Sequence, residues 1–285
     1  GVLSEVDKRV GFHEENSSIV YHTVQRFQEE GRNHPRDQPR SRPVVAEIEA
    51  VSRICILAED ADCPVHMFHL SSGSAAEVVR RAKRRGVDVT AETMPHYIQF
   101  NEEILERKGN AARVNPPIRS EEERQSLWEI GMEDGAINCL ATDHAPYTAE
   151  EKGAEDFFQN TWDVYSGFVG LETEVPAMAT LVNEGELSLE RWVELHSRRP
   201  AQIWGLYPKK GSLQIGSDAD FTIVDFDDEW TLDYEDLHSK SKITPYDGET
   251  FTGRVKSTIV RGETVFDDGE ITGESGYGEV IPVDN

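Results

Sequence analysis

From about residue 7 to residue 205, short apolar runs alternate with longer stretches whose apolar positions recur at helical spacing. Val10-Gly11-Phe12-His13 reads as the end of a strand. Between Arg42 and Ala58 the apolar positions Val45, Ile48, Val51, Ile54 and Leu57 recur every three residues, which predicts a helix with Pro43 in its first turn. Val65-His66-Met67-Phe68-His69-Leu70 is strand-like, Ser74 to Arg85 is helical and opens on a capping serine, and Val87 to Glu92 is a further strand. Glu121 to Gly131 reads as helix, Ile137 to Thr142 as strand, and Leu187 to Arg198 as a helix capped by Ser188. Strands that alternate with helices imply a parallel sheet with right-handed crossovers.

After about Gly205 the texture changes. Asp220 to Asp225 and Val255 to Val260 are short and β-branched, and Gly211, Gly216, Gly253, Gly262 and Gly269 punctuate the region with turns. This pattern predicts an antiparallel β module. The expected division is therefore an α/β domain over residues 1–205 and a β module over 206–285. Four α/β steps are too few to close an eight-stranded barrel.

Composition adds two exclusions and one oddity. No apolar run approaches the ~20 residues of a membrane span, and the formal charge of −25 repels nucleic acid and anionic membranes. The acids are spread along the whole chain, and arginine is favoured over lysine, as in Arg80-Arg81-Ala82-Lys83-Arg84-Arg85. That surface suggests adaptation to high salt, where ions screen self-repulsion. Cys55, Cys63 and Cys139 show no framework spacing and read as reduced thiols of a cytoplasmic protein.

Three of the apolar strands end in metal-competent side chains: His13, His69 and Asp143. Two neutral imidazoles and a carboxylate suit zinc or a similar divalent ion, and a carboxylate at a strand tip can also shuttle a proton. Each has a plainer reading. Asp143 can cap the turn before Pro146, His13 can be a surface residue of the loop Glu14-Glu15-Asn16, and His69 can pack beside Ser71 and Ser72. His66, on the other face of the strand from His69, reads as structural, and Asn115 either contacts a ligand or opens the turn Pro116-Pro117.

Several segments in a fixed order then carry a resemblance. His13-Glu14-Glu15-Asn16, Phe68-His69-Leu70-Ser71-Ser72, Ala91-Glu92-Thr93-Met94-Pro95-His96-Tyr97, Val114-Asn115-Pro116-Pro117-Ile118-Arg119 and Ala141-Thr142-Asp143-His144-Ala145-Pro146 are similar to motifs of the cyclic amidohydrolases. So are Gly170-Leu171-Glu172-Thr173, Gly216-Ser217-Asp218-Ala219-Asp220 and Ser241-Lys242-Ile243-Thr244-Pro245-Tyr246. The group comprises dihydroorotase, dihydropyrimidinase (hydantoinase) and allantoinase.

The resemblance implies a TIM-like (β/α) barrel with a small β-sandwich, and two metals, usually zinc, bridged by hydroxide and a carboxylated lysine. Carried onto this sequence, His13 and His69 ligate one metal. Asp143 ligates the other and moves the proton from hydroxide to leaving nitrogen, while Asn115 and Tyr147 touch the substrate. The group's first-strand His-x-His and fourth-strand lysine have no counterpart here. The expectation is the C-terminal half of a barrel (strands 5 to 8) plus the C-terminal part of the sandwich, from a truncated or split gene product. The binuclear site is then incomplete, and the chain works as a homo-oligomer or with a complementary N-terminal half. The implied activity is hydrolysis of a small cyclic amide, with dihydroorotate slightly ahead of hydantoins or allantoin. A reading of another class is a non-catalytic barrel relic that serves as a structural subunit.

Overall fold

The computed structural model describes residues 1–282. The chain divides into two compact units, one of Gly1–Gly170 with Leu237–Pro245, the other of Leu171–Asp236 with the chain from Tyr246 onward.

The first unit is built on four parallel strands in sequence order: β1 (Val10–Phe12), β2 (Val65–Met67), β3 (Val89–Thr93) and β4 (Cys139–Leu140). Helix Val44–Ala61 connects β1 to β2, and helix Gly73–Arg84 connects β2 to β3. This is a partial α/β barrel. On the odd-numbered face Val65, Met67, Val89 and Ala91 are buried, as are Ala46, Ala50, Val51 and Ile54 of the first helix and Ala75, Ala76, Val79 and Ala82 of the second. Small residues on the helices let them approach the sheet closely. Each fully buried valine or methionine contributes about 1.5–3 kcal/mol. The opposite face is polar: His66 pairs with Thr90 across β2 and β3, and Glu92 with Cys139 across β3 and β4, so all four side chains share it.

Two local details depart from the sequence reading. Helix Gly73–Arg84 takes Ser72, not Ser74, as its cap, with Ser72 Oγ accepting from Ala75 N at 3.2 Å. Ser74 instead donates its hydroxyl to Glu123 at 2.7 Å, which ties this helix to helix Glu121–Ser126. A helix at Ser17–Glu29 was not expected from its polar sequence; Asn16 starts it by accepting from Ser18 N at 3.0 Å and Ile19 N at 3.1 Å.

The second unit carries helix Leu171–Asn183, the helical segment Leu189–Ile203, and a four-stranded antiparallel sheet of β5 (Phe221–Thr231), β6 (Thr250–Val260), β7 (Glu263–Asp267) and β8 (Glu270–Ile271). Ser188 caps as expected, accepting from Arg191 N at 3.1 Å. Asn183 ties the long helix to the sheet by donating to the carbonyls of Phe226 at 2.9 Å and Thr252 at 2.7 Å. Residues 171–205, which the alternation of elements groups with the barrel strands, cluster with the antiparallel sheet.

Candidate functional site

His13 follows directly on β1, and His69 follows two residues after β2. Phe68 N donates to Phe12 O at 3.0 Å, which holds the two strand ends in register. His13 Nδ1 and His69 Nε2 lie 2.9 Å apart. The far nitrogen of His13 faces Glu15 Oε2 at 3.1 Å. Glu15 is held in turn by Arg42, whose Nε donates to Oε1 at 3.0 Å, and which makes a further short contact to Oε2. With His13 Nε2–H donated to Glu15, the lone pair on Nδ1 points at His69. A carboxylate behind a ligating imidazole fixes its tautomer in this way. Against the upward push of burial, the His13 and Arg42 bonds hold the Glu15 carboxyl down at about 2.

His69 is buried and sits at φ +30°, in the left-handed region. Burial, and then the neighbouring His13, push its imidazole down to about 4, so it is neutral at pH 7. Among the described residues its Nδ1 has no hydrogen-bond partner; it lies 4.0 Å from Glu14 Oε2, which likewise has none. Glu14 is fully buried, accepts from Phe68 N at 2.8 Å, and is raised well above the usual carboxylate range by desolvation and by Glu47.

The loop that carries His69 is pinned from below. Glu47 accepts from Ser71 N at 2.7 Å, Ser71 Oγ at 2.8 Å and Ser72 Oγ at 2.7 Å, all buried. Arg119 completes the network, donating to Glu47 Oε2 at 3.2 Å, Ser71 Oγ at 2.9 Å and the Arg42 carbonyl at 2.5 Å. One buried ion pair thus braces both the His69 loop and the arginine behind His13. Sequence reading missed Glu15, Arg42, Glu47 and Arg119. Their signal was slight: an acidic pair straight after a strand-end histidine, and an arginine closing Pro116-Pro117-Ile118-Arg119.

Asp143 lies just past β4 at φ +47° and is exposed. Its carboxyl is pushed up to about 6, first by desolvation and then by Glu92, while His13 opposes the rise. His144 supports the turn, its Nδ1 accepting from Gly170 N at 3.2 Å. Asn115 and Tyr147 have other partners: Asn115 Oδ1 accepts from Gln38 Nε2 at 3.1 Å, and the Tyr147 ring lies 5.1 Å from that of Tyr165.

The donor set fits a divalent metal. A neutral buried imidazole and a second imidazole of fixed tautomer converge within 2.9 Å, close to the spacing of two ligands on one zinc ion, whose Zn–N bonds are about 2.0–2.1 Å.

The amidohydrolase family profile matches residues 5–265. L-hydantoinase of Paenarthrobacter aurescens is 37% identical over 270 residues, covering 94% of this chain and 58% of that protein. Allantoinase of Rubrobacter xylanophilus is 40% identical over 91% of this chain and 56% of its own length, and dihydroorotase of Macrococcus caseolyticus 36% identical over 94% and 60%. The solved L-hydantoinase from Arthrobacter aurescens superposes with a TM-score of 0.91 at 37% identity, covering 95% of this chain and 60% of that one. The chain therefore spans less than two thirds of the length of these relatives.

Proposed function

Because the chain belongs to the cyclic amidohydrolases of the amidohydrolase family, we propose that it supplies one half of a metal-dependent site that hydrolyses a cyclic amide at a C–N bond. The convergence of His13 Nδ1 and His69 Nε2 at 2.9 Å carries this reading. His13 and His69 would hold one zinc ion and Asp143 would reach a second, with the remaining ligands coming from a complementary segment. Zinc bound there would polarise the ring carbonyl and acidify an attacking water. The residues of this chain do the rest. Glu15 keeps His13 in the ligating tautomer, and the Glu47–Arg119 pair keeps the His69 loop in place. Asp143, with a carboxyl near pH 6, is suited to accept a proton from water and return it to the departing ring nitrogen.

For the substrate we favour an uncharged cyclic ureide of the hydantoin or allantoin type over dihydroorotate. Arg42 and Arg119, the guanidinium groups beside the site, are spent on Glu15 and Glu47, which leaves them poorly placed to grip a substrate carboxylate. Calorimetric titration with zinc tests the site: His69→Ala should cost one bound equivalent, and unchanged uptake would sink the proposal. Hydrolysis assays, with the complementary half supplied, on 5-substituted hydantoins, allantoin and dihydroorotate then rank the substrates. Turnover of dihydroorotate alone would overturn the preference for ureides.

A further inference from the structure

On the polar face of the parallel sheet, three side chains from three adjacent strands meet. One ligand atom each of His66 on β2, Glu92 on β3 and Cys139 on β4 lies within 4.8 Å of the other two. We propose that His66, Glu92 and Cys139 form a further metal site, suited to a thiophilic divalent cation such as zinc or cobalt. The set is built by the backbone itself: the parallel register that pairs His66 with Thr90 and Glu92 with Cys139 brings all three to one face.

Hydrogen bonding orients the histidine as a ligand. Thr90 Oγ1 is directed at the Val65 carbonyl, 3.4 Å away, and receives Arg9 Nη1 at 3.3 Å. At 2.7 Å it is placed to accept from His66 Nδ1. In that tautomer a neutral His66 turns its Nε2 lone pair toward Glu92 Oε2, 3.1 Å distant. Two electron-rich atoms held at this separation converge on a cation, and a ring N–H donated to a hydroxyl is the usual support of a metal-bound imidazole. The charge of Arg9 is met by Asp88 at 2.8 Å and does not stand unopposed against an incoming cation.

Chemistry selects the metal. His66 and Cys139 are almost wholly buried, whereas the Glu92 side chain retains 12% exposure and opens the way in. Imidazole with thiolate favours zinc or cobalt over magnesium or calcium. Binding converts the Cys139 thiol to thiolate and releases its proton to solvent, with no change of oxidation state. Three protein ligands leave a fourth position open. The site shares no ligand with the His13–His69 pair and does not depend on the hydrolase reading.

Cobalt(II) titration of the full chain, freed of metal by chelation, is the test. Sulfur ligation gives a thiolate-to-cobalt charge-transfer band in the near ultraviolet, which a site of imidazoles and carboxylates cannot produce. The band is expected in the wild type and in the His13→Ala/His69→Ala double variant, and should be lost in Cys139→Ser. Glu92→Gln keeps the thiol and tests the set without touching it: cobalt affinity should fall at least ~10-fold, the lower end of the losses seen when even outer partners of a metal ligand are removed. No band in the wild type would overturn the proposal. So would a band that survives Cys139→Ser, which would assign it to Cys55 or Cys63, or an affinity unchanged by Glu92→Gln. If His66 Nε2 instead donates a proton to Glu92, the pair is a closed hydrogen bond and the wild type shows no band.

Discussion

Lys152 lies nine residues beyond Asp143 and is fully buried, its ammonium donating to the carbonyls of Arg113 and Tyr165, both at 3.2 Å. Through these bonds it fastens the loop after β4 to the segment that leads into Asn115. Burial, with Arg113 adding to it, brings its pKa from 10.5 down to about 7. Below pH 7 the folded and unfolded chains both hold the proton, and stability does not respond to this group. Above pH 7 the folded chain has released a proton that the unfolded chain still binds, so stability rises with pH until the unfolded lysine titrates. The full span of 10.5 to about 7 corresponds to about 5 kcal/mol, at about 1.4 kcal/mol per pH unit. Urea unfolding at pH 7.5 and 8.5 should therefore show the wild type gaining about 1 kcal/mol across that step, a slightly reduced slope because release is incomplete at 7.5. Lys152→Met, of similar length and without charge, should lose that gain while keeping the fold. The window stops short of the groups that titrate higher, Arg113 at about 10 and Cys55 at about 11. Identical pH slopes in the two proteins would refute the account and show that Lys152 stays protonated through its carbonyl partners.

The Glu47–Arg119 pair is buried on both sides, so Glu47→Ala should cost about 3–5 kcal/mol by leaving an uncompensated guanidinium; a loss below 1 kcal/mol in urea titration would mean that the pair does not brace the loop. A methyl group on Gly73 would meet the backbone of Ser126 at 2.4 Å, so Gly73→Ala should lower stability by about 1–3 kcal/mol and drive the two helices apart. Thermal melts check this, and an unchanged midpoint would contradict it. The charge of −25 predicts a melting temperature that climbs between 0.1 and 3 M KCl, because the Debye length shrinks from about 10 Å toward 3 Å or less. A flat response would remove the case for high-salt adaptation.

The elements that sequence revealed are those whose apolar spacing had one interpretation. Helix Val44–Ala61 and strands β2 and β3 lie within a few residues of their expected limits because Val51, Ile54, Met67 and Ala91 must all leave water on one face. Helix Ser17–Glu29 escaped notice because only Val20 and Phe27 are buried along it. The parallel four-strand order was legible, as was the antiparallel module. The strand tips that present His13, His69 and Asp143 were legible too, since each follows an apolar run. What could not be read was the layer behind these side chains. Glu15, Glu47 and Arg119 are charged residues that ordinary patterning sends to the surface, and only the fold shows them neutralising one another in the interior. The grouping of His66 with Glu92 and Cys139 joins positions 26 and 73 residues apart in the chain, beyond the reach of any local pattern.

His69 and Asp143 adopt the left-handed backbone conformation at φ +30° and +47°, a region that glycine enters freely and that histidine, aspartate and asparagine enter more readily than other side chains. Each still carries on the order of 1 kcal/mol of backbone strain relative to glycine. Glycine at either position would relieve the backbone and remove a proposed metal ligand in the same step, so backbone ease and the candidate site pull in opposite directions at the same two residues.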